Sequence, residues 1–216
     1  MTPVVLFDLD GTLIDSTEAI VESFGVAFEQ FGVSPPDQLE IKQQIGHTLH
    51  DMFRVLGVKE ELVEAHVQAY KAHYRMIASE KTTLLPRARE ALELAANFAR
   101  LGVVTTKTGR YSKEILEHLG VMAYFETLVG FEDVTFPKPH PEPILTALER
   151  MGCEVSPQAW MIGDTPLDIM SANSAGISHI AVVSGYASHE ELAKHTTVIV
   201  PDAYEAVIKL YKKESY

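Results

Sequence analysis

Short apolar runs alternate with helical stretches along most of this chain, and that alternation leaves few folds open to it. Val4–Phe7 carries no polar residue on either face, which predicts a strand buried on both sides, as in a parallel sheet. After Pro86 the sequence predicts a helix over Arg87–Arg100, closed by Gly102, then a strand over Val103–Lys107. A helix over Tyr111–Leu119, a strand over Thr127–Gly130 and a helix over Pro141–Met151 follow. Next come a strand over Trp160–Ile162, a helix over Pro166–Ala175, strands over His179–Val183 and Val198–Val200, and a last helix from Tyr204. Strand and helix in strict alternation are the mark of a doubly wound parallel sheet.

The region between the first strand and Glu80 breaks that rhythm. Asp15, with Glu18 three residues on, reads as a capping box, and Ala19, Ile20, Phe24, Ala27, Phe28 and Phe31 follow at helical spacing to Gly32. Past Ser34-Pro35-Pro36 the periodicity predicts helices over Gln38–Ile45, His47–Leu56 and Glu60–Ile77, parted by Gly46 and Gly57. The predicted organisation is an α/β, Rossmann-like core made of residues 1–14 and 81–216, with an α-helical cap of residues 15–80 inserted after the first strand.

Composition narrows the partners. The chain has 216 residues, 46% of them apolar, which suffices for a core; its formal charge of −12 argues against nucleic acid and anionic membrane. No apolar run is long enough to span a bilayer. Only Met1 and Thr2 precede the first strand, which predicts no cleaved signal, and the lone Cys153 excludes an intrachain disulfide. A cytoplasmic protein, monomer or homodimer, is the expectation.

The polar residues gather where the strands end. The first predicted strand ends in Asp8 and Asp10, the second in Thr105, Thr106 and Lys107, the loop after the third carries Lys138, and the fourth ends in Asp164, with Asp168 a helical turn on. In open α/β sheets that edge is where ligands bind. Several carboxylates there repel one another unless a cation sits among them, and hard oxygen ligands select Mg²⁺, commonly shared with a phosphate. Lys138 supplies positive charge, Thr105 a hydroxyl donor, and Gly11 with Thr12 a sharp turn whose N–H groups approach the same oxygens. Because Gly11 turns the chain, one carboxylate of Asp8-Leu9-Asp10 faces the phosphorus while the other sits over the leaving group.

In DLDGT, TT at a strand end, the Lys of KPHPEP and GDTPLD, in that order, the whole chain resembles the haloacid dehalogenase superfamily of phosphatases. The resemblance implies Asp8 as the nucleophile that forms an aspartyl-phosphate, and Asp10 as the acid, then base. It implies Thr105 and Lys138 as phosphate-holding groups. Mg²⁺ falls to Asp8, Asp164 and the backbone carbonyl of Asp10, with Asp168 a further acidic contact or, preferably, a residue behind the metal. A small phosphorylated metabolite is the implied substrate, chosen by the cap, where Gly46 and His47 are candidates to face the site, with Arg54 nearby. GDTPLDIMSANSAG is most similar to the phosphoglycolate phosphatase group, although Thr106 stands where that group usually has Asn. VTTK resembles instead a relative that hydrolyses inorganic pyrophosphate. DGT, and no ED pair, argue against the mutase branch.

Two other classes are weaker. A phospho-receiver domain also gathers acids, a Thr and a Lys, but is much shorter, lacks a helical insertion and has adjacent acids. A non-catalytic binding module finds no support, since every expected catalytic residue is present. His47 with His50, and His66 with His73, lack a third ligand at metal spacing. Ser184-Gly185-Tyr186 follows a strand and reads as a turn in preference to a rim of the site.

Overall fold

The computed structural model describes residues 2–214. In chain order its elements are β1 (Val4–Phe7), β2 (Ile14–Asp15), α1 (Thr17–Gln30), α2 (Gln38–Lys42), α3 (Leu49–Val55), α4 (Glu60–Ile77), β3 (Thr83–Leu84), α5 (Ala88–Ala95), β4 (Arg100–Val104), α6 (Gly109–His118), β5 (Thr127–Val129), α7 (Glu142–Arg150), β6 (Ala159–Gly163), α8 (Pro166–Ala175), β7 (Ser178–Val182), α9 (His189–Ala193), β8 (Ile199–Val200) and α10 (Ala203–Glu214). Six strands form one sheet in the order β5-β4-β1-β6-β7-β8, with every pairing parallel. This is the doubly wound α/β architecture that the alternation predicts.

β1 lies between β4 and β6 and is buried throughout. Its side chains divide by the two-residue period of a strand. Val5 and Phe7 join the apolar cluster that contains Leu92 of α5 and Val207 of α10. Val4 and Leu6 join the cluster that contains Leu148 of α7 and Ala172 of α8. Helices on both faces leave only the strand ends open to a ligand.

The helices between β2 and β3 pack on one another through aromatic rings. α1 lies against α4, and Phe24 sits 4.6 Å from Phe53 and 5.0 Å from Tyr70, centroid to centroid. His66 is buried in this cluster, stacked on Phe31, with Nδ1 2.9 Å from the Leu62 carbonyl oxygen. Of the histidines set aside in the sequence, His66 is a packing group, while His50 pairs with Glu64 and His73 with Ser23 and Glu22.

Several boundaries differ from the prediction. Asp15 does not cap α1; it pairs with Thr83 in a short antiparallel ladder, β2 with β3, and its carboxylate accepts from the Thr17 N–H at 3.0 Å. Helix geometry therefore waits until Thr17, and the strand at Thr83–Leu84 is absent from the prediction. The helix expected over Arg87–Arg100 ends at Ala95, because Arg100 and Leu101 already pair with β1. α2 and α3 are shorter than expected, Thr48 being the N-cap of α3, and α9 has no counterpart in the sequence reading. None of the described helices is long and apolar enough to cross a membrane.

Candidate active site

The parallel sheet delivers three carboxylates and a lysine to one edge. Asp8 follows β1, Asp164 follows β6, Asp168 lies in the first turn of α8, and Lys138 comes from the loop between β5 and α7. Lys138 Nζ is buried and donates to Asp8 Oδ1 at 2.9 Å, to Asp168 Oδ1 at 2.6 Å and to the Val104 carbonyl at 3.2 Å. The other oxygen of Asp168 accepts from the Thr165 N–H at 3.0 Å and hydroxyl at 2.7 Å. Asp168 is thus fully engaged in fixing Lys138 and the start of α8.

Asp164 is held from the opposite side. Its oxygens accept from the Thr12 hydroxyl at 3.1 Å and the Tyr186 N–H at 2.9 Å. Gly11, at φ +82°, and Gly185 close in on this carboxylate, and a Cβ at either position would collide with it. Ser184 donates to the Gly11 carbonyl at 2.8 Å, so Ser184-Gly185-Tyr186 is a wall of the site and more than a turn.

These carboxylates lack compensating charge. Asp8, Asp164 and Asp168 each place an oxygen within 4.8 Å of the others, all buried, with the Lys138 ammonium bonded to two of them. Burial lifts Asp8 from 3.8 to about 7, against the pull of Lys138, and Asp168 adds to the rise. Burial, Asp8 and Asp168 together push Asp164 well above its ordinary value. Burial works against the Lys138 charge, but Asp168 and Asp8 outweigh it and hold the ammonium protonated. A divalent cation would supply the charge this group is short of, and a set of carboxylate oxygens suits a hard ion such as Mg²⁺. No histidine belongs to a metal-ready group among the described residues.

Asp10 stands apart from that cluster. Its carboxylate accepts from Lys107 Nζ at 3.0 and 2.8 Å and from the Ser16 hydroxyl. Burial opposes the Lys107 charge, but Asp10, with Tyr74 and Tyr70, raises its pKa well above normal. The ammonium also lies 4.9 Å from the Tyr74 ring centroid. Asp10 opens onto a cleft of about 590 Å³, its mouth included, between helices α1, α3 and α4 and the edge carrying Thr106, Lys107 and Thr108. Asp8, Asp164 and Asp168 do not line that cleft.

Of the predicted substrate contacts, the structure gathers some and moves others. Thr105 is buried; its oxygen accepts from the Lys107 N–H at 3.2 Å, which leaves the hydroxyl proton to donate. Thr106, Gly46 and His47 line the cleft, and Thr106 donates to the Gly46 carbonyl at 2.9 Å, tying α2–α3 to the sheet edge. Gly11 and Thr12 differ from expectation. Their N–H groups are spent inside the turn, on the Ile14 and Leu9 carbonyls, and both residues serve Asp164 instead of a phosphate. Arg54 is bound to Asp51 and Glu60 on the exposed side of α3, away from the cleft. His50 pairs with Glu64 at 2.9 Å. Sequence reasoning passed over Lys107 as a site residue although it ends VTTK, and missed Tyr74, whose helical spacing reads as core.

A family model described as haloacid dehalogenase-like hydrolase matches residues 5–182. The chain belongs to this family. Among the relatives of this hydrolase is the probable phosphatase IndB of Dickeya dadantii, 33% identical over 214 residues, covering 96% of the chain and 93% of IndB. Pyrophosphatase PpaX of Bacillus velezensis is 35% identical over 173 residues, covering 80% and 79%. A haloacid dehalogenase-like hydrolase of Bacteroides fragilis superposes with a TM-score of 0.89 at 29% identity, over 95% of this chain and all of that one.

Proposed function

We propose that this hydrolase is a Mg²⁺-dependent phosphatase that cleaves a small phosphorylated metabolite through an aspartyl-phosphate on Asp8. The observation that carries the reading is the division of the two carboxylates: Asp8 sits in the cation-deficient cluster and Asp10 on the cleft. Lys138 binds Asp8 Oδ1, so Oδ2 is the oxygen left to attack phosphorus. As that bond forms, the bond from phosphorus to the leaving oxygen breaks, and Asp10 delivers the proton the leaving oxygen needs. Lys107 and Ser16 fix the Asp10 carboxylate until the substrate displaces one of them. A water then attacks phosphorus, gives its proton to Asp10 and frees Asp8. Thr105 donates to a phosphoryl oxygen, and Lys138 offsets the charge spread over the others. Asp8, Asp164 and the Asp10 backbone carbonyl are the groups that would hold Mg²⁺, which supplies further neutralisation of the phosphoryl oxygens. Asp168 acts through Lys138, since both its oxygens are engaged.

The helices α1–α4 are read as a cap, with residues 15–80 as the inserted unit and the β2–β3 ladder as the joint through which the chain leaves and returns. Phosphoglycolate is the substrate put forward by the sequence resemblance, and pyrophosphate is put forward by VTTK and by the name of the Bacillus relative. Phosphate release with Mg²⁺ on a panel of esters and pyrophosphate, run beside Asp8→Asn, tests the reading. Turnover in wild type and none in the variant is expected. Stoichiometric phosphorylation without release marks a receiver, and turnover retained in Asp8→Asn refutes the nucleophile.

A further inference from the structure

Beyond Asp10, the cleft is walled mainly by apolar and aromatic side chains. Leu49 and Met52 of α3, Tyr70 and Tyr74 of α4, Tyr111 of α6 and Phe131 line it. The two tyrosines of α4 are stacked at 5.3 Å with 11° between their rings. Of the four basic groups at the cleft, Lys107 is committed to Asp10 and His50 to Glu64. His47 is exposed and Lys71 half-buried, so neither offers a dry positive pocket.

One polar group in this wall is unspent. The Tyr74 hydroxyl is buried and makes no hydrogen bond. Its nearest polar neighbours, Ser16 and Lys107, are turned towards Asp10 and donate to it. A buried hydroxyl without a partner costs on the order of 1–3 kcal/mol, a cost that a ligand atom would remove.

We infer that the substrate of this site is a phosphomonoester of a flat, largely apolar alcohol, aromatic or heteroaromatic, bearing an acceptor for the Tyr74 hydroxyl. The inference rests on the phosphatase reading and gives it a substrate class. The cluster side of Asp10 takes the phosphoryl group and the cleft side takes the leaving alcohol, so the cleft lining chooses the alcohol. Glycolate and phosphate are small, charged leaving groups that fill none of this wall and would desolvate their charge against it.

The test compares benzyl phosphate and 3-pyridylmethyl phosphate with ethyl phosphate, 2-phosphoglycolate and pyrophosphate, in Mg²⁺. The leaving alcohols of the four monoesters are of similar acidity, so differences report the cleft. Benzyl phosphate is expected to exceed ethyl phosphate in kcat/KM by about tenfold to hundredfold, the yield of burying one ring. The pyridyl ester is expected to exceed benzyl in wild type but not in Tyr74→Phe. Leu49→Ala, at the half-buried start of α3, is expected to narrow the gap in kcat/KM between benzyl and ethyl phosphate. The inactive Asp8→Asn variant gives a second readout, tighter calorimetric binding of benzyl phosphate than of 2-phosphoglycolate. Ethyl phosphate or 2-phosphoglycolate turned over as well as the ring esters overturns the inference and leaves the phosphatase reading standing. Phosphate release from none of the panel overturns both.

Discussion

Asp8→Asn is expected to make the metal-free protein more stable. Asn keeps the shape of the side chain and an acceptor for Lys138, which remains bonded to Asp168 at 2.6 Å. What it removes is a buried charge. Asp8 ionises in the folded, metal-free site only near about 7, against an ordinary value of 3.8. At about 1.4 kcal/mol per pH unit, ionising it at pH 7.5 costs the folded state on the order of 4 kcal/mol relative to the unfolded chain. Allowing for relaxation around the charge, the variant should gain about 2–4 kcal/mol, or roughly 5–15 °C in Tm for a chain of this size. The direction with pH follows from a raised pKa. Below about pH 4 both states hold the proton and the difference vanishes; it grows as pH rises towards 7, because the unfolded chain sheds the proton first. Thermal melts of wild type and variant in chelator, from pH 4 to 7.5, measure it. Added Mg²⁺ should then raise wild type more than the variant, since it neutralises the charge that only wild type carries. A variant no more stable than wild type at pH 7.5 in chelator, or a gain independent of pH, refutes the reasoning.

Lys107→Met leaves the Asp10 carboxylate buried with Ser16 alone, and a loss of about 3–5 kcal/mol is expected, with part of it recovered in Asp10→Asn/Lys107→Met; a double-mutant cycle by chemical denaturation reads both. Gly11→Ala should lower Tm and blunt the stabilisation by Mg²⁺, because the new Cβ collides with Asp164 and the φ of +82° disfavours any side chain; a melt titrated with Mg²⁺ measures both effects. Asp168→Ala frees Lys138 from one of its two carboxylates, so kcat should fall by at least about tenfold, with part of the loss restored in Asp168→Asn, which keeps an oxygen for Lys138; steady-state kinetics of the two variants decide it.

The parts of this site legible in the sequence are those that a strand end carries by itself. Asp8, Thr105 and Asp164 each directly follow a short apolar run, and a parallel sheet aligns such ends without further information, while Lys138, in the loop between β5 and α7, was legible from KPHPEP. The parts that were not legible depend on a partner far away in the chain. Asp15 has good capping chemistry, yet its pairing with Thr83 decides its backbone, and nothing local announces a two-residue ladder. Lys107 meets Asp10 across 97 positions, and Tyr74 meets Lys107 only because α4 lies over the sheet edge. Gly11 was legible as a turn but not in its purpose, since what crowds it is the Asp164 carboxylate.

The opening run of the chain, VVLFDLDGT, ends a core strand in two charges because one short turn has to serve two environments. Leu9 is fully buried between them. Asp8 goes to the side where three carboxylates share one lysine, so its charge is costly until a cation arrives. Asp10 goes to the side where a lysine and a serine already answer it, and where the cleft begins. A nucleophile benefits from the first setting, because a carboxylate short of countercharge gains most when metal and phosphoryl group enter together. A proton carrier benefits from the second, because it must hold its place beside the leaving oxygen through both halves of the reaction. On the proposed reading, the same residue type two positions apart would perform different chemistry through its surroundings, which Lys138 sets beside Asp8 and Lys107 beside Asp10.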